Sequence, residues 1–402
     1  MNVGELDARA AVAPFRFPAF RRYVAGQLPS VSCSWAQVVA LAWVVVQLDP
    51  QSLGWVVACQ FLPSLLLGPW FGAVVDRHDR RRGLMLAEAG LGLVAVGYAA
   101  AAATGNLTLP VIYLLASVWG VLNALDTPAR QSLVPLLVSP ERAGSAAGLT
   151  GTVMVLGMTI GTALGAVLIA TVGVTATFVL NAASFFADVV ILGTIRGRPA
   201  PRVERAPRQI REGMRYVGRT PRLRAAMLAL AIIATFAFTI NVSVPILARQ
   251  SFAGGAPLIG TFFTAVTAGC LVGTLAYAAR ARCGPKTLTR TALGMAVAQL
   301  VTAVSPHPLV AVAGLAGVGL AWTYLIGAVV TLLQAARPEL MGRVMSLFAV
   351  VLLGGTTIGA PLSTALIAVA GSRAPFVLGV GAAVIAAAAV RLRTDVTLRE
   401  YA

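Results

Sequence analysis

The chain has 402 residues, 58% of them hydrophobic and only 11% charged, with a mean hydropathy of +0.84. Soluble domains carry roughly 25% charged residues. A water-soluble fold of this size could not cover its surface with so few charges, so the chain is expected to be an all-α membrane protein. A transmembrane barrel would need short alternating strands, whereas this sequence has long charge-free runs such as 111–125 and 227–238. The net charge of +17 sits in loops flanking those runs. It therefore reads as a topology signal, and no nucleic-acid partner is expected.

Breaking the hydropathy pattern at charges and at Gly/Pro punctuation predicts twelve transmembrane helices. They fall near 21–47, 52–75, 82–104, 108–132, 142–171, 173–195, 223–248, 256–279, 287–304, 307–334, 340–370 and 373–391. The first fifteen residues lack an apolar run ending in a small-residue cleavage site, so no cleaved leader is expected. Cys33, Cys59 and Cys270 fall in apolar runs and Cys283 in an arginine-rich loop, a distribution that predicts free thiols.

The loop between segments 2 and 3 reads Gly72-Ala73-Val74-Val75-Asp76-Arg77-His78-Asp79-Arg80-Arg81-Arg82. Arg9, Arg16, Arg21 and Arg22 at the start of segment 1 share its side, as do Arg142, Arg337, Arg343, the basic clusters of 196–224 and 280–290, and Arg391, Arg393 and Arg399. The opposite side keeps only Arg249 and Arg373. This asymmetry puts both termini in the cytoplasm of a multi-pass inner-membrane protein.

The acids at membrane depth are Glu88 in segment 3, Asp126 in segment 4 and Asp188 in segment 6. An acid in lipid is costly and is read as functional. A carboxyl group away from water favours its neutral form, which makes these three the proton-coupling candidates; a structural hydrogen bond to a neighbouring helix is the alternative. Asp126 and Arg130 are spaced to pair on one helix face, although Pro128 lies between them. In segment 5, Gly148, Gly157, Gly161 and Gly165 have the spacing that lets helices approach closely.

The longest connection, 196–222, holds Pro199, Pro201 and Pro207, then an amphipathic stretch with Ile210, Met214 and Val217 at helical spacing. It predicts a short helix, lying on anionic lipid or simply solvated. The connection separates an N-terminal six-helix bundle, 1–195, from a C-terminal one, 223–402. The halves also repeat: Gly72 has its counterpart at Gly273, Pro140-Glu141 at Pro338-Glu339, and Gly157 and Gly161 at Gly355 and Gly359. A shift near half the chain length predicts two pseudo-repeated bundles.

The 72–82 loop resembles the segment 2–3 loop of the major facilitator superfamily, whose pattern is Gly-x-x-x-Asp-Arg-x-x-Arg-Arg. Further stretches are similar to the enterobactin-exporter-like and macrolide-efflux-like branch. They are Phe17-Pro18-Ala19-Phe20-Arg21-Arg22-Tyr23, Asp126-Thr127-Pro128-Ala129-Arg130-Gln131, Glu212-Gly213-Met214-Arg215-Tyr216 and Gly342-Arg343-Val344-Met345-Ser346.

The resemblance implies a conformational gate of Gly72, Asp76, Arg77, Arg80, Arg81, Asp126, Arg130 and Arg343. Asp126 would face Arg80, and Asp76 the start of segment 11. It implies a cavity lined by segments 1, 4, 7 and 10, whose mid-depth polar and aromatic residues are Trp35, Gln37, Trp119, Asn123, Phe238, Asn241, Trp322 and Tyr324. The segment 5 glycines match the spacing of the antiporter motif, with Thr162 where that motif has proline.

The expected function is export of a hydrophobic or amphipathic small molecule (drug, siderophore or natural product) by proton antiport with alternating access. A lysophospholipid or lipid flippase, an uptake symporter and a non-transporting receptor are the alternatives. With no Walker motif, no metal cluster and no hydrolytic triad in the sequence, the expectation is a monomeric non-enzyme, without cofactor or metal, driven by the proton gradient across the bilayer.

Overall fold

The computed structural model describes residues 13–77, 79–195, 209–280, 285–334, 336 and 340–399. In lipid each backbone polar group must be satisfied within the segment, and the described residues answer with helices long and apolar enough for 12 membrane spans. The first six are α1 (Pro18–Leu48), α2 (Leu53–Arg77), α3 (Arg80–Ala103), α4 (Leu109–Leu133), α5 (Ala143–Thr171) and α6 (Gly173–Thr194). The amphipathic α7 (Gln209–Arg219) follows. Then come α8 (Pro221–Phe236), α9 (Ile240–Ile246), α10 (Ala256–Arg280), α11 (Pro285–Val304), α12 (Pro308–Gln334), α13 (Met341–Ala370) and α14 (Ala374–Arg399). The twelve-helix expectation holds, mostly to within two residues at each boundary.

Segment 7 departs from it. In place of one helix over 223–248 there are two, α8 and α9, interrupted at 237–239 and followed by a wide turn at Leu247–Ser251. The break is tolerated because protein satisfies it: Gln299 of α11 donates to the Ala237 carbonyl, and Phe238 N–H returns to Ile233 O at 2.9 Å. Irregular backbone at this depth survives only where neighbouring side chains replace the missing helix bonds.

The chain forms two compact units, Met1–Leu41 with Pro63–Glu204, and Ala42–Leu62 with Arg205–Ala402. In the first, α3 packs on α6 and α4. The buried stripe of α3 is Leu84, Glu88, Leu91, Ala95 and Tyr98; that of α6 is Phe178, Asn181, Phe185, Asp188 and Leu192. Both follow the period of one helix face. In the second unit, α10 and α11 pack on α12, and α14 on α11 and α8. The amphipathic α7 docks on α13 and α8, burying Val217 and leaving Met214 exposed.

Three of the four segment 5 glycines are contact points on α1. A Cβ at Gly157 would meet Val31, one at Gly161 the Ser32 carbonyl and Trp35, and one at Gly165 the Ala36 backbone at 2.9 Å. Gly148 does not belong with them: a Cβ there meets nothing within 4 Å, because the helix end that carries it is exposed. Gly161→Val is expected to lower stability by about 1–3 kcal/mol, the usual cost of overpacking, while Gly148→Val leaves it within about 0.5 kcal/mol. Thermal unfolding of the two variants in detergent checks the contrast.

Candidate functional site

The inner stripes of α3, α4 and α6 each carry one acid at a position where packing calls for an apolar residue. On α4, Trp119, Leu122 and Asp126 share a face, and Arg130 follows one turn beyond Asp126. The Arg130 guanidinium binds Asp126 twice, Nε donating to Oδ2 at 3.2 Å and Nη2 to Oδ1 at 2.9 Å. Nη2 also donates to Glu88 Oε1 on α3. Glu88 is fully buried, Asp126 is 8% exposed and the Arg130 side chain 12%. The Tyr23 ring of α1 is buried beside the same guanidinium.

Asp188 approaches from α6. It is 1% exposed, and neither oxygen has a hydrogen-bond partner among the described residues. Its carboxyl group lies where a Cβ on Gly26 of α1 would sit, so a larger residue at 26 would have to displace it. Glu88 Oε2, Arg130 Nη1 and both polar atoms of the buried Gln27 also have no partner among the described residues. Buried polar atoms are nearly always paired. Four residues from four helices break this rule together among the described residues. Three carboxyl groups surround one guanidinium, so full ionisation would leave two negative charges uncompensated.

The Asp126–Arg130 pair was legible from spacing. The convergence of Glu88, Asp188 and Tyr23 on it was not, because it depends on which faces of α1, α3 and α6 meet. Gln27 was missed altogether, although a glutamine inside an apolar run was signal enough to suspect it.

The expected gate residues have varied positions. Gly72 lies half-buried near the end of α2; the side chains of Asp76 and Arg77 lie outside the described residues. Arg80 donates to Ser132 O at 3.5 Å, and Asp126 is held by Arg130 of its own helix. Arg81 acts as a cap: Nε donates to Leu192 O at 2.7 Å and Nη2 to Gly193 O, and Arg22 reaches Thr194 O at 3.2 Å. Cations suit a helix C-terminus, where carbonyls are left unpaired. Asp79 caps the N-terminus of α3, accepting from the Arg81 and Arg82 amides at 2.9 and 3.2 Å. Arg343 is half-buried in the first turn of α13.

The expected cavity residues divide in the same manner. Trp119 is half-buried and packs against the apolar cluster of Leu91, Ala95, Ala182 and Phe185, in the register of Asp126 on α4. Gln37 accepts from Asn181 Nδ2 at 2.9 Å, and Trp35 lies against Gly161. Asn123 Nδ2 reaches Ser64 Oγ at 3.5 Å. In the second unit Phe238, at the helix break, stacks on Trp322 at 3.9 Å between ring centroids with planes 8° apart. Tyr324 meets Tyr277 edge-on at 5.2 Å, and Asn241 Oδ1 is buried with no partner among the described residues. Among the described residues no group of three His, Cys, Asp or Glu side chains is placed to hold a metal ion.

Twelve apolar spans with this helix order define a polytopic membrane protein of the major facilitator fold. The fold agrees with the crystal structure of a bacterial homologue of the human lysosomal transporter Spinster, at a TM-score of 0.70 and 16% identity, covering 95% of this chain and 97% of that one. Over residues 9–401 the chain matches the transmembrane secretion effector family, and it belongs to that family of the major facilitator superfamily. It is 29% identical over 299 residues to the enterobactin exporter EntS of Escherichia coli (strain HS), covering 72% of this chain and 71% of that protein. To the staphyloferrin A transporter of Staphylococcus aureus (strain NCTC 8325 / PS 47) it is 25% identical over 247 residues, 60% of this chain; the match spans 62% of that protein's length.

Removing the guanidinium strands two buried carboxyl groups. Arg130→Gln should cost about 3–5 kcal/mol, as breaking a buried ion pair does, and Arg130→Gln with Glu88→Gln and Asp126→Asn should recover most of that loss. Thermal melts of the single and triple variants decide between a charge effect and a packing effect.

Proposed function

We propose that the protein exports a hydrophobic or amphipathic small molecule, of the size and chemistry of a siderophore or drug, by proton antiport with alternating access. Both termini would be cytoplasmic, and 1–195 and 223–402 would act as the two rocking bundles, joined by 196–222. The exporter relative supports direction and substrate class; the arginine asymmetry supports orientation.

The observation that carries the coupling is the buried set Glu88, Asp126, Arg130 and Asp188. Burying an unpaired charge is costly, so a carboxyl group that alternately loses and regains a cationic partner must gain and lose a proton with it. Arg130 cannot be deprotonated, and it holds Glu88 and Asp126 while Asp188 has no hydrogen-bond partner among the described residues. In the proposed cycle Asp188 carries the proton. A shift of α6 relative to α4 that brings Arg130 within reach of Asp188 would release it as H⁺. Moving away again would require Asp188 to rebind one.

Substrate would be met by the aromatic and amide groups of the second unit, Phe238, Trp322, Asn241 and Tyr324. No basic residue sits beside that stack in sequence, which favours neutral or cationic compounds. Asp188→Asn is therefore expected to keep substrate binding and abolish substrate-induced proton release by the purified protein. In cells stripped of their own pumps it should lose energised efflux, while Asp49→Asn at a loop cap remains active. Proton release from Asp188→Asn equal to wild type removes Asp188 from the cycle. Efflux that persists without a pH gradient or membrane potential removes proton antiport altogether.

A further inference from the structure

Arg290 lies five residues into α11, inside the apolar span Lys286–Val304, about 8 Å along the helix from its start at 1.5 Å per residue. It is exposed and makes no ion pair or hydrogen bond among the described residues. Of the helices packed against α11, α12 brings no aspartate or glutamate, and α14 brings Asp395 alone, whose side chain lies outside the described residues. An arginine placed this far into an apolar span is costly unless something pairs with it.

The guanidinium opens onto a cleft of about 700 Å³ between α10 and α11, floored by α12. Thr287, Arg290 and Thr291 form its polar end, and Ala279, Leu320 and Tyr324 its other walls. From Arg290 the same face of α11 continues as Leu293, Val297, Leu300 and Val304, exposed at 46, 63, 49 and 63%. The steps of three and four residues are those of one helix stripe. A cation with two hydroxyl-bearing neighbours at the polar end, followed by an open apolar track, matches a molecule with an anionic head and a hydrocarbon tail. A zwitterionic headgroup fits less well, because its ammonium would find no carboxylate here and would lie near exposed Lys286.

We propose that this cleft binds an anionic glycerophospholipid, with its phosphate on Arg290, its headgroup hydroxyls toward Thr287 and Thr291, and one acyl chain along Leu293, Val297 and Leu300. Basic pockets between transmembrane helices on the cytoplasmic side are suited to this role. The site belongs to the second unit and shares only Tyr324 with the proposed substrate groups, leaving out the acidic cluster of the first unit and the Phe238–Trp322 stack; lipid binding is read on the purified protein without transport.

The experiment is native mass spectrometry of the purified protein, titrated with dioleoyl phosphatidylglycerol or dioleoyl phosphatidylcholine. Wild type should retain phosphatidylglycerol about fivefold better, the effect of one well-placed cation. Arg290→Gln should remove that preference at an unchanged melting temperature, and Arg142→Gln, an exposed arginine of the first unit, should keep it. Val297→Gln, which spares the charge and breaks the track, should weaken both lipids together. Equal retention of the two lipids by wild type, or full retention of phosphatidylglycerol by Arg290→Gln, would overturn the proposal. So would displacement of the lipid by millimolar inorganic phosphate, which would make the site a free-anion site, or by an exported compound, which would make it a substrate subsite.

Discussion

The contact on which the first unit turns is the guanidinium of Arg130 held between Asp126 and Glu88. Lipid offers no water to a buried charge, so each ion placed among these helices must find its compensation in another side chain. One arginine serves two carboxyl groups and stands beside Tyr23, and in doing so it ties α4 to α3 and brings both against α1. Asp188 is within electrostatic range of this set but outside its hydrogen bonds. A static ion pair would satisfy all its members. This cluster leaves Asp188 without a hydrogen bond among the described residues, which is the feature the proposed coupling uses.

The two units divide the chemistry unevenly. The first holds the buried acids Glu88, Asp126 and Asp188, and the long stretch 213–338 of the second holds no aspartate or glutamate. The second has instead a discontinuous helix whose break carries an aromatic stack and an amide oxygen without a partner among the described residues. If the acids move protons and the broken helix meets substrate, each function sits where its own physical demand is met. Proton binding needs carboxyl groups shielded from competing cations, and an apolar ligand needs aromatic surface with few charges nearby.

Helix number, helix bounds and the Asp126–Arg130 pair were legible because each is a local property: apolar length, punctuation, and spacing along one helix. What the sequence could not show is which faces meet. Trp119 reads as an aromatic at mid-depth, and its packing against Leu91, Ala95, Ala182 and Phe185 is visible only once the faces of α3, α4 and α6 are brought together. Arg81 read as part of a gate, since a run of arginines has no visible addressee until the end of α6 is found beside it. The break in segment 7 was hidden because its residues are as apolar as any helix interior; what permits it is Gln299, sixty residues further along the chain. Gly148 matched the spacing of Gly157, Gly161 and Gly165 but lies beyond the reach of α1.

The arginines of this protein show how position along the bilayer normal sets the solution to one recurring problem. Arg81, Arg22 and Arg373 stand at helix ends, where carbonyl groups are unpaired. Arg373 donates to Ala303 O and Ser305 O at 3.1 and 2.7 Å, and its guanidinium lies over the Phe252 ring. Arg130 is enclosed among helices, where no free carbonyl is available, and takes carboxylates. Arg290 lies inside α11, beyond the helix end, and pairs with no acid among the described residues, yet it keeps its place inside an apolar span. Of the three sources of compensation open to a membrane cation, backbone, side chain and lipid, the first two are accounted for at the other sites. The third is the one that the open cleft beside Arg290 is shaped to admit.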